Sequence, residues 1–222
     1  MSAEATIHEI ERARQRVTVG PRPDWAVLHP VDEVWRAPGG APNSVLLRDE
    51  QHHAGESAVF IRQVRRLETL HAVLDSAQWT FDFDPATQRL TIHTLAVRRI
   101  GSEADHAVPE KFRFLQRESS LESLVIDGTV SLLVLLEDVR VGDILEMALT
   151  ITSEPRVFVG RCFAMGFPLT NLPMREWRWS VRFDPAHTRP LRRTVSAVSS
   201  SVCLSLPSRL TEVNLLSMNG VR

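Results

Sequence analysis

The chain has 222 residues, enough for one large domain or two small ones. Its 26 basic and 27 acidic residues leave a net charge of −1, so no overall field draws it to nucleic acid or to an anionic membrane. It contains neither the apolar core of a signal peptide nor an apolar run long enough to span a bilayer. We therefore expect a cytoplasmic protein with no membrane span and no nucleic-acid partner.

Residues 1–22 have the pattern of a short helix with a lead-in to the next segment. Thr6 and Glu9 have the spacing of a capping box, and isoleucines follow at helical intervals. Two prolines in VGPRPDW end the helix, and the chain then reads as irregular to about Glu56, with RAPGGAPNS as a loop.

Beyond Glu56 the hydrophobic period becomes two residues, which is typical of strands. The strand-like segments are QWTFDF (78–83), RLTIHTLAV (89–97), GTVSLLVLL (128–136), DILEMALTI (143–151) and EWRWSVRF (176–183). GTVSLLVLL is almost continuously apolar, as a central strand would be. Several alternating strands with few helical patterns predict a mainly all-β fold. We expect an antiparallel β-sandwich with a short N-terminal helix and an irregular C-terminal tail.

Between two of these strands stands the acid-rich segment LLEDVRVGDILEM. Glu137 and Asp138 tolerate water, Gly142 permits a turn, and Arg140 can pair with either acid. A catalytic interpretation would need two carboxylates at a defined separation across a pocket, with a partner that shifts the pKa of one. Neighbouring acids on a turn do not provide this, so we interpret the segment as structural.

The same segment, preceded by FLQRESSLESLVIDGTVSLLVLL, resembles the core of an uncharacterised bacterial domain of unknown function. That domain stands N-terminal to transglutaminase-like domains in larger proteins. Further matching pieces are PDW (23–25), LLRDEQH (46–52), FDFDPATQRLTIHTLAVRR (81–99) and FVGRCFAMGFPLTNLPMREWRWSVRFDP (158–185). The resemblance covers about residues 23–190, and its strongest motif comprises Asp138, Arg140, Gly142 and Asp143.

The resemblance implies a non-catalytic β-sandwich module that accompanies a cysteine-dependent enzyme. Its partner would be a transglutaminase-like domain, in cis in relatives, or another protein. The four motif residues are expected to be structural, because no catalytic or ligand-binding role comes with them.

The end of the chain departs from the pattern of the relatives. They continue through a further β-rich region into the transglutaminase-like domain, whereas residues 194–222 here carry seven serines and one acid, Glu212. We expect a lead-in at 1–22, a β-sandwich domain at 23–193 and a poorly ordered tail at 194–222. A shortened natural end, a frameshift and a fragment are all compatible with this composition, and our hypothesis is a truncation or a frameshift.

Catalysis of the transglutaminase type needs a cysteine, a histidine and an aspartate, in that chain order. After Cys162 the only histidine is His187, which no aspartate follows, and no histidine follows Cys203. A triad in another order, Cys162 with Asp184 and His187, stays open, although the apolar context VGRCFAMGF favours a buried structural cysteine. We therefore expect no enzyme.

Metal and cofactor sites are not predicted either. The eight histidines show no HExxH spacing, the two cysteines form no CxxC pair, and no phosphate-binding glycine loop occurs. His52 and His53 read as part of a surface loop, and in a strand they would face opposite ways.

Two functions remain in view. We expect a non-catalytic accessory module that positions a neighbouring domain or binds protein or peptide at a sheet edge. The alternative is a stand-alone sandwich that binds a small ligand or carbohydrate on exposed aromatic rings. Burial of Trp79, Trp177 and Trp179 in the core would count against the alternative.

Overall fold

The computed structural model describes residues 3–116, 128–154 and 173–183, together with the backbone of short strands at 203–205 and 212–216. Its helices are α1 (Ala3–Arg16) and α2 (Leu70–Asp75), with 3₁₀ turns at Pro38–Gly40 and Pro109–Lys111. The predicted N-terminal helix is confirmed, but it begins about a turn before the capping box expected at Thr6. None of the described helices has the length and apolar character that crossing a membrane requires.

The described residues form the following strands: β1 (Val17–Val19), β2 (Asn43–His53), β3 (Ala58–Leu67), β4 (Gln78–Phe83), β5 (Gln88–Arg99), β6 (Ser102–Asp105), β7 (Arg113–Gln116), β8 (Val130–Leu135), β9 (Ile144–Ser153), β10 (Trp177–Arg182), β11 (Cys203–Ser205) and β12 (Glu212–Leu216).

These strands build two sheets. The large sheet has nine strands in the order β1-β5-β9-β3-β2-β10-β12-β11, with β6 also on β5, and the small sheet has the order β4-β8-β7. Neighbours are antiparallel except for β1 with β5 and β10 with β2. The mainly all-β fold with a short N-terminal helix is confirmed, and β8 lies at the centre of its sheet as its apolar pattern predicts.

The main core lies between the small sheet and the β5, β9 and β3 part of the large sheet. Alternation explains it, because inward residues of each strand are apolar and every second residue points away. Buried members from both layers include Phe83, Leu132 and Val134 of the small sheet and Leu90, Ile92, Leu95, Leu145 and Leu149 of the large sheet. Each such side chain stabilises the fold by about 1.5–3 kcal/mol relative to exposure.

The opposite face of the large sheet is covered by residues 20–37, which we call the strap. The strap has no regular backbone pairing along this face, so side chains of the sheet satisfy its polar groups. Gln51 bonds both the N–H and the carbonyl of Val27, at 2.8 and 2.6 Å. The guanidinium of Arg62 donates to the carbonyl of His29 at 2.6 Å.

The predicted end of the irregular segment is wrong. The irregular segment ends at Asn43 rather than near Glu56, because β2 begins there. The hydrophobic pattern does not predict β2, because Asp49 and Gln51 are buried beneath the strap at positions where an alternating strand would carry apolar side chains. Their partners come from distant parts of the chain, which periodicity does not reveal.

The tail also differs from its prediction where it is described. β12 pairs with β10 and β11 pairs with β12, both antiparallel, so these eight residues are strand rather than irregular. The rest of residues 194–222 lies outside the described residues.

Candidate functional site

A turn that we call the acidic corner joins β8 to β9, and it contains Asp138, Arg140, Gly142 and Asp143. Asp143 is 1% exposed, and its carboxylate accepts two hydrogen bonds from the guanidinium of Arg99 on β5, at 2.8 and 2.7 Å. It accepts a third from the backbone N–H of Arg140 at 2.8 Å. The side chain of Arg140 also holds the exposed carboxylate of Asp138, at 2.8 and 2.9 Å. Arginines therefore engage both carboxylates of the corner.

The backbone of the corner explains its glycine. Gly142 has a φ of 93°, a conformation that glycine adopts without a clash from Cβ, and Asp138 has a φ of 52°, which aspartate tolerates. The N–H of Gly142 donates to the carbonyl of Leu67 at 2.7 Å, and the N–H of Leu67 donates to the carbonyl of Asp143 at 3.0 Å. These two bonds fasten the corner to the end of β3.

The electrostatics of the corner keep its groups charged. Hydrogen bonds from Arg140 lower the pKa of Asp138, and hydrogen bonds to Asp143 raise the pKa of Arg99. A general acid at neutral pH needs the opposite, a carboxyl group whose pKa is raised. The contacts of the acidic corner therefore fit a structural role rather than that of a general acid.

The residues considered for cysteine catalysis are not placed by the structure. Cys162, Asp184 and His187 lie outside the described residues, and Cys203 is described only by its backbone in β11. Within the described residues, no three His, Cys, Asp or Glu side chains come together in a way that could hold a metal ion.

His52 and His53 end β2 rather than lying in a loop, which corrects the loop prediction. They face opposite ways, as expected for neighbours in a strand. His52 contacts the ring of Trp179 with centroids 5.6 Å apart, and His53 contacts Trp25 at 5.3 Å.

Two acids are buried among the described residues: Asp143 in the acidic corner and Asp49 on β2. Asp49 has different neighbours from Asp143. Its carboxylate accepts a hydrogen bond from Gln51 at 2.7 Å, while Nε2 of His29 in the strap lies 4.0 Å away. Burial raises the pKa of Asp49 and lowers the pKa of His29. At 4.0 Å the two groups are too far apart for a hydrogen bond.

A cleft of about 340 Å³ opens between β4 and the inner face of the large sheet. It exists because the three strands of the small sheet cover only part of the nine-stranded sheet. Ile61, Met147 and Ile151 form apolar lining from the large sheet, and Trp79 and Phe81 contribute from β4. This volume lies within the range of small-ligand and peptide-side-chain pockets, about 300–1,000 Å³.

The polar side of the cleft comes from β2 and β3. Arg48 is paired with Glu50 at 2.8 Å and donates to Gln63 at 3.0 Å. Arg65, by contrast, is half-buried, and its side chain has neither a hydrogen bond nor an ion pair in the described part of the chain. Burial lowers the pKa of Arg65, and no charged neighbour among the described residues contributes to that shift. The cleft therefore combines an apolar lining with one cation whose side chain has no bonding partner among the described residues.

The sequence prediction missed Arg65, although a signal for it exists. In IRQVRRL the residues alternate, so Ile61, Gln63 and Arg65 share one face of β3, and Arg62 lies on the other. A strand with arginine on both faces cannot turn every arginine to solvent in a two-layer fold. Which arginine lacks a partner depends on contacts that only the folded chain reveals.

Comparisons with known proteins fit this fold. A family model described as "Domain of Unknown Function with solved-structure structure (DUF3857)" matches residues 53–209. The fold is similar to the crystal structure of a "putative protease" from Parabacteroides distasonis ATCC 8503, with a TM-score of 0.61 and 16% identity over 80% of this chain. The chain spans 35% of that protein, and at this identity the likeness shows the fold alone.

Native yeast LTA4 hydrolase matches with a TM-score of 0.36 and 12% identity, over 79% of this chain and 26% of that chain, and this likeness carries no argument. No curated protein matches the chain. The resemblance to a domain of unknown function is thus confirmed, whereas the association with transglutaminase-like domains stays a prediction. Because the family model covers more than half of its residues, the chain belongs to the DUF3857 family of domains of unknown function.

Proposed function

We propose that the chain is a non-catalytic accessory β-sandwich module of a transglutaminase-like, cysteine-protease-like protein. It would act by positioning a neighbouring domain or by binding a partner protein. The observation that carries this proposal is the acidic corner, where both carboxylates are engaged by Arg99 and Arg140 and hold two strands together. The similarity to part of a "putative protease", of which 35% is covered, supports an accessory position beside a larger remainder.

The alternative is a stand-alone sandwich that binds a small ligand or carbohydrate, and its carbohydrate form has less support. Such sites stack sugars on exposed aromatic rings, but Trp79 is 8% exposed and Trp177 is 6% exposed. Trp179 is half-buried and lies against His52.

The experiment measures catalysis without assuming a substrate. The purified chain and its Cys162→Ala variant are incubated with a panel of fluorogenic peptide amides, and with a fluorescent primary amine plus a glutamine-containing protein. We expect neither protein to hydrolyse amides or incorporate amine above the buffer rate. Turnover by the parent chain that disappears in Cys162→Ala would overturn the proposal, because the chain would then carry its own catalytic thiol.

A further inference from the structure

Among the described residues, the small sheet ends in a strand, β4, with one unpaired edge. β4 pairs with β8 along its length, and no described strand lies on its other side. The N–H of Leu136 donates to the carbonyl of Ala77 at 2.9 Å, which fixes the alternation of this antiparallel ladder. By that alternation Thr80 and Asp82 turn their backbone N–H and C=O groups to the open edge. Such an edge is a template for another strand.

The cleft lies beside this edge. Thr80 and Asp82 line it, although their side chains are exposed on the other face of β4. Across the cleft, Ile61, Met147 and Ile151 of the large sheet present apolar surface. A strand that paired with β4 would therefore place every second side chain on this apolar surface.

Arg65 gives the cleft its charge preference. The neighbouring arginines on β3 are engaged, since Arg62 pairs with Glu146 at 2.7 Å and Arg66 donates to the carbonyl of Trp35 at 3.1 Å. The guanidinium of Arg65 has no partner among the described residues, and a carboxylate that bonds it in the bidentate manner would form a strong charge-assisted pair.

We propose that an extended segment of a partner protein pairs with β4 as a fourth strand of the small sheet. Apolar side chains of the segment pack on Ile61, Met147 and Ile151, and an inward Asp or Glu carboxylate bonds Arg65. Main-chain hydrogen bonds supply affinity in this mode, and the alternate side chains supply specificity. This inference rests on the proposed non-catalytic function and adds the edge and the chemistry of the partner.

The probe is a set of synthetic peptides chosen from a display library of random heptamers panned against the intact chain. Each selected peptide is made with an acetylated N-terminus and an amidated C-terminus, so that its carboxylates are side chains only. We expect the selected peptides to alternate apolar residues around one Asp or Glu. Replacing that acid by its amide should weaken binding at least tenfold.

Two variants separate the charge from the edge. Arg65→Gln should lose at least tenfold in peptide affinity without a lower melting temperature, because it breaks no side-chain hydrogen bond or ion pair within the described residues. Arg89→Gln, which changes an exposed arginine elsewhere, is its control. Thr80→Pro removes an N–H that faces the open edge, so it should fold and fail to bind, whereas Thr80→Val should bind.

Several outcomes would overturn the proposal. One is that the selected peptides bind Arg65→Gln or Thr80→Pro as tightly as they bind the parent. Another is that panning yields no peptide with alternating apolar residues around an acid. A third is that a fatty acid binds at Arg65 and that Thr80→Pro leaves this binding unchanged. None of these outcomes tests the proposed non-catalytic function, because the test of that function is the absence of Cys162-dependent turnover. The two proposals can therefore fail separately.

Discussion

Asp143→Ala distinguishes a structural corner from a catalytic one. The substitution removes a carboxylate that is 1% exposed and accepts two hydrogen bonds from Arg99 and one from the backbone of Arg140. Removing one member of a buried ion pair costs about 3–5 kcal/mol, and for Asp143 we expect about 3 kcal/mol. The lower end applies because the side chain of its partner is 32% exposed and keeps contact with water.

The assay is thermal unfolding followed by circular dichroism. For a domain of this size, the expected loss corresponds to a melting temperature lower by about 6–12 °C. Asp138→Asn is the matched control, because its carboxylate is 62% exposed and should shift the melting temperature little. An Asp143→Ala protein that melts with the parent would refute the structural interpretation of the corner.

Two further predictions concern pH. Burial raises the pKa of Asp49, so the stability contributed by its neutral form is present below the ordinary value of about 3.9 and is lost as pH rises through the folded pKa. Asp49→Asn should therefore be more stable than the parent in urea at neutral pH, with the difference vanishing in acid, and equal stability at neutral pH would contradict this. His93 lies on β5, where its Nδ1 is 2.9 Å from the carbonyl of Gly20 in the strap. Burial lowers the pKa of His93, so the stability contributed by its neutral form is present above about 6.5 and is lost as pH falls through the folded pKa. The melting temperature of His93→Gln should fall less between neutral and mildly acidic pH than that of the parent. An equal fall in both proteins would contradict this prediction.

Strand faces were predictable where one period governs the sequence. In β4 the alternation correctly places Trp79 and Phe83 in the core, and in β10 it buries Trp177 and Val181. Here a single physical cause, burial of one face, determines the pattern. The turn at Gly142 was also predictable, because a glycine after charged residues marks a chain reversal.

The remainder depends on contacts between distant segments. β2 was missed because its buried Asp49 and Gln51 find their partners in the strap. Arg99 lies 44 residues before Asp143, so the sequence predicted an ion pair within the corner but not the buried pair that holds it. The cleft arises from how far the small sheet covers the large one, and no local pattern specifies that coverage.

The measurement that tests the non-catalytic function most directly is the pH dependence of thiol alkylation at Cys162. The Cys203→Ser variant would be treated with iodoacetamide from pH 5 to 10, and modification at Cys162 followed by mass spectrometry, with Cys162→Ala as the blank. A thiol without a catalytic partner should react with a midpoint at or above about 8.5, or not at all if it is buried. A plateau of rapid alkylation with a midpoint below about 7 would reveal an activated thiolate and contradict the non-catalytic function.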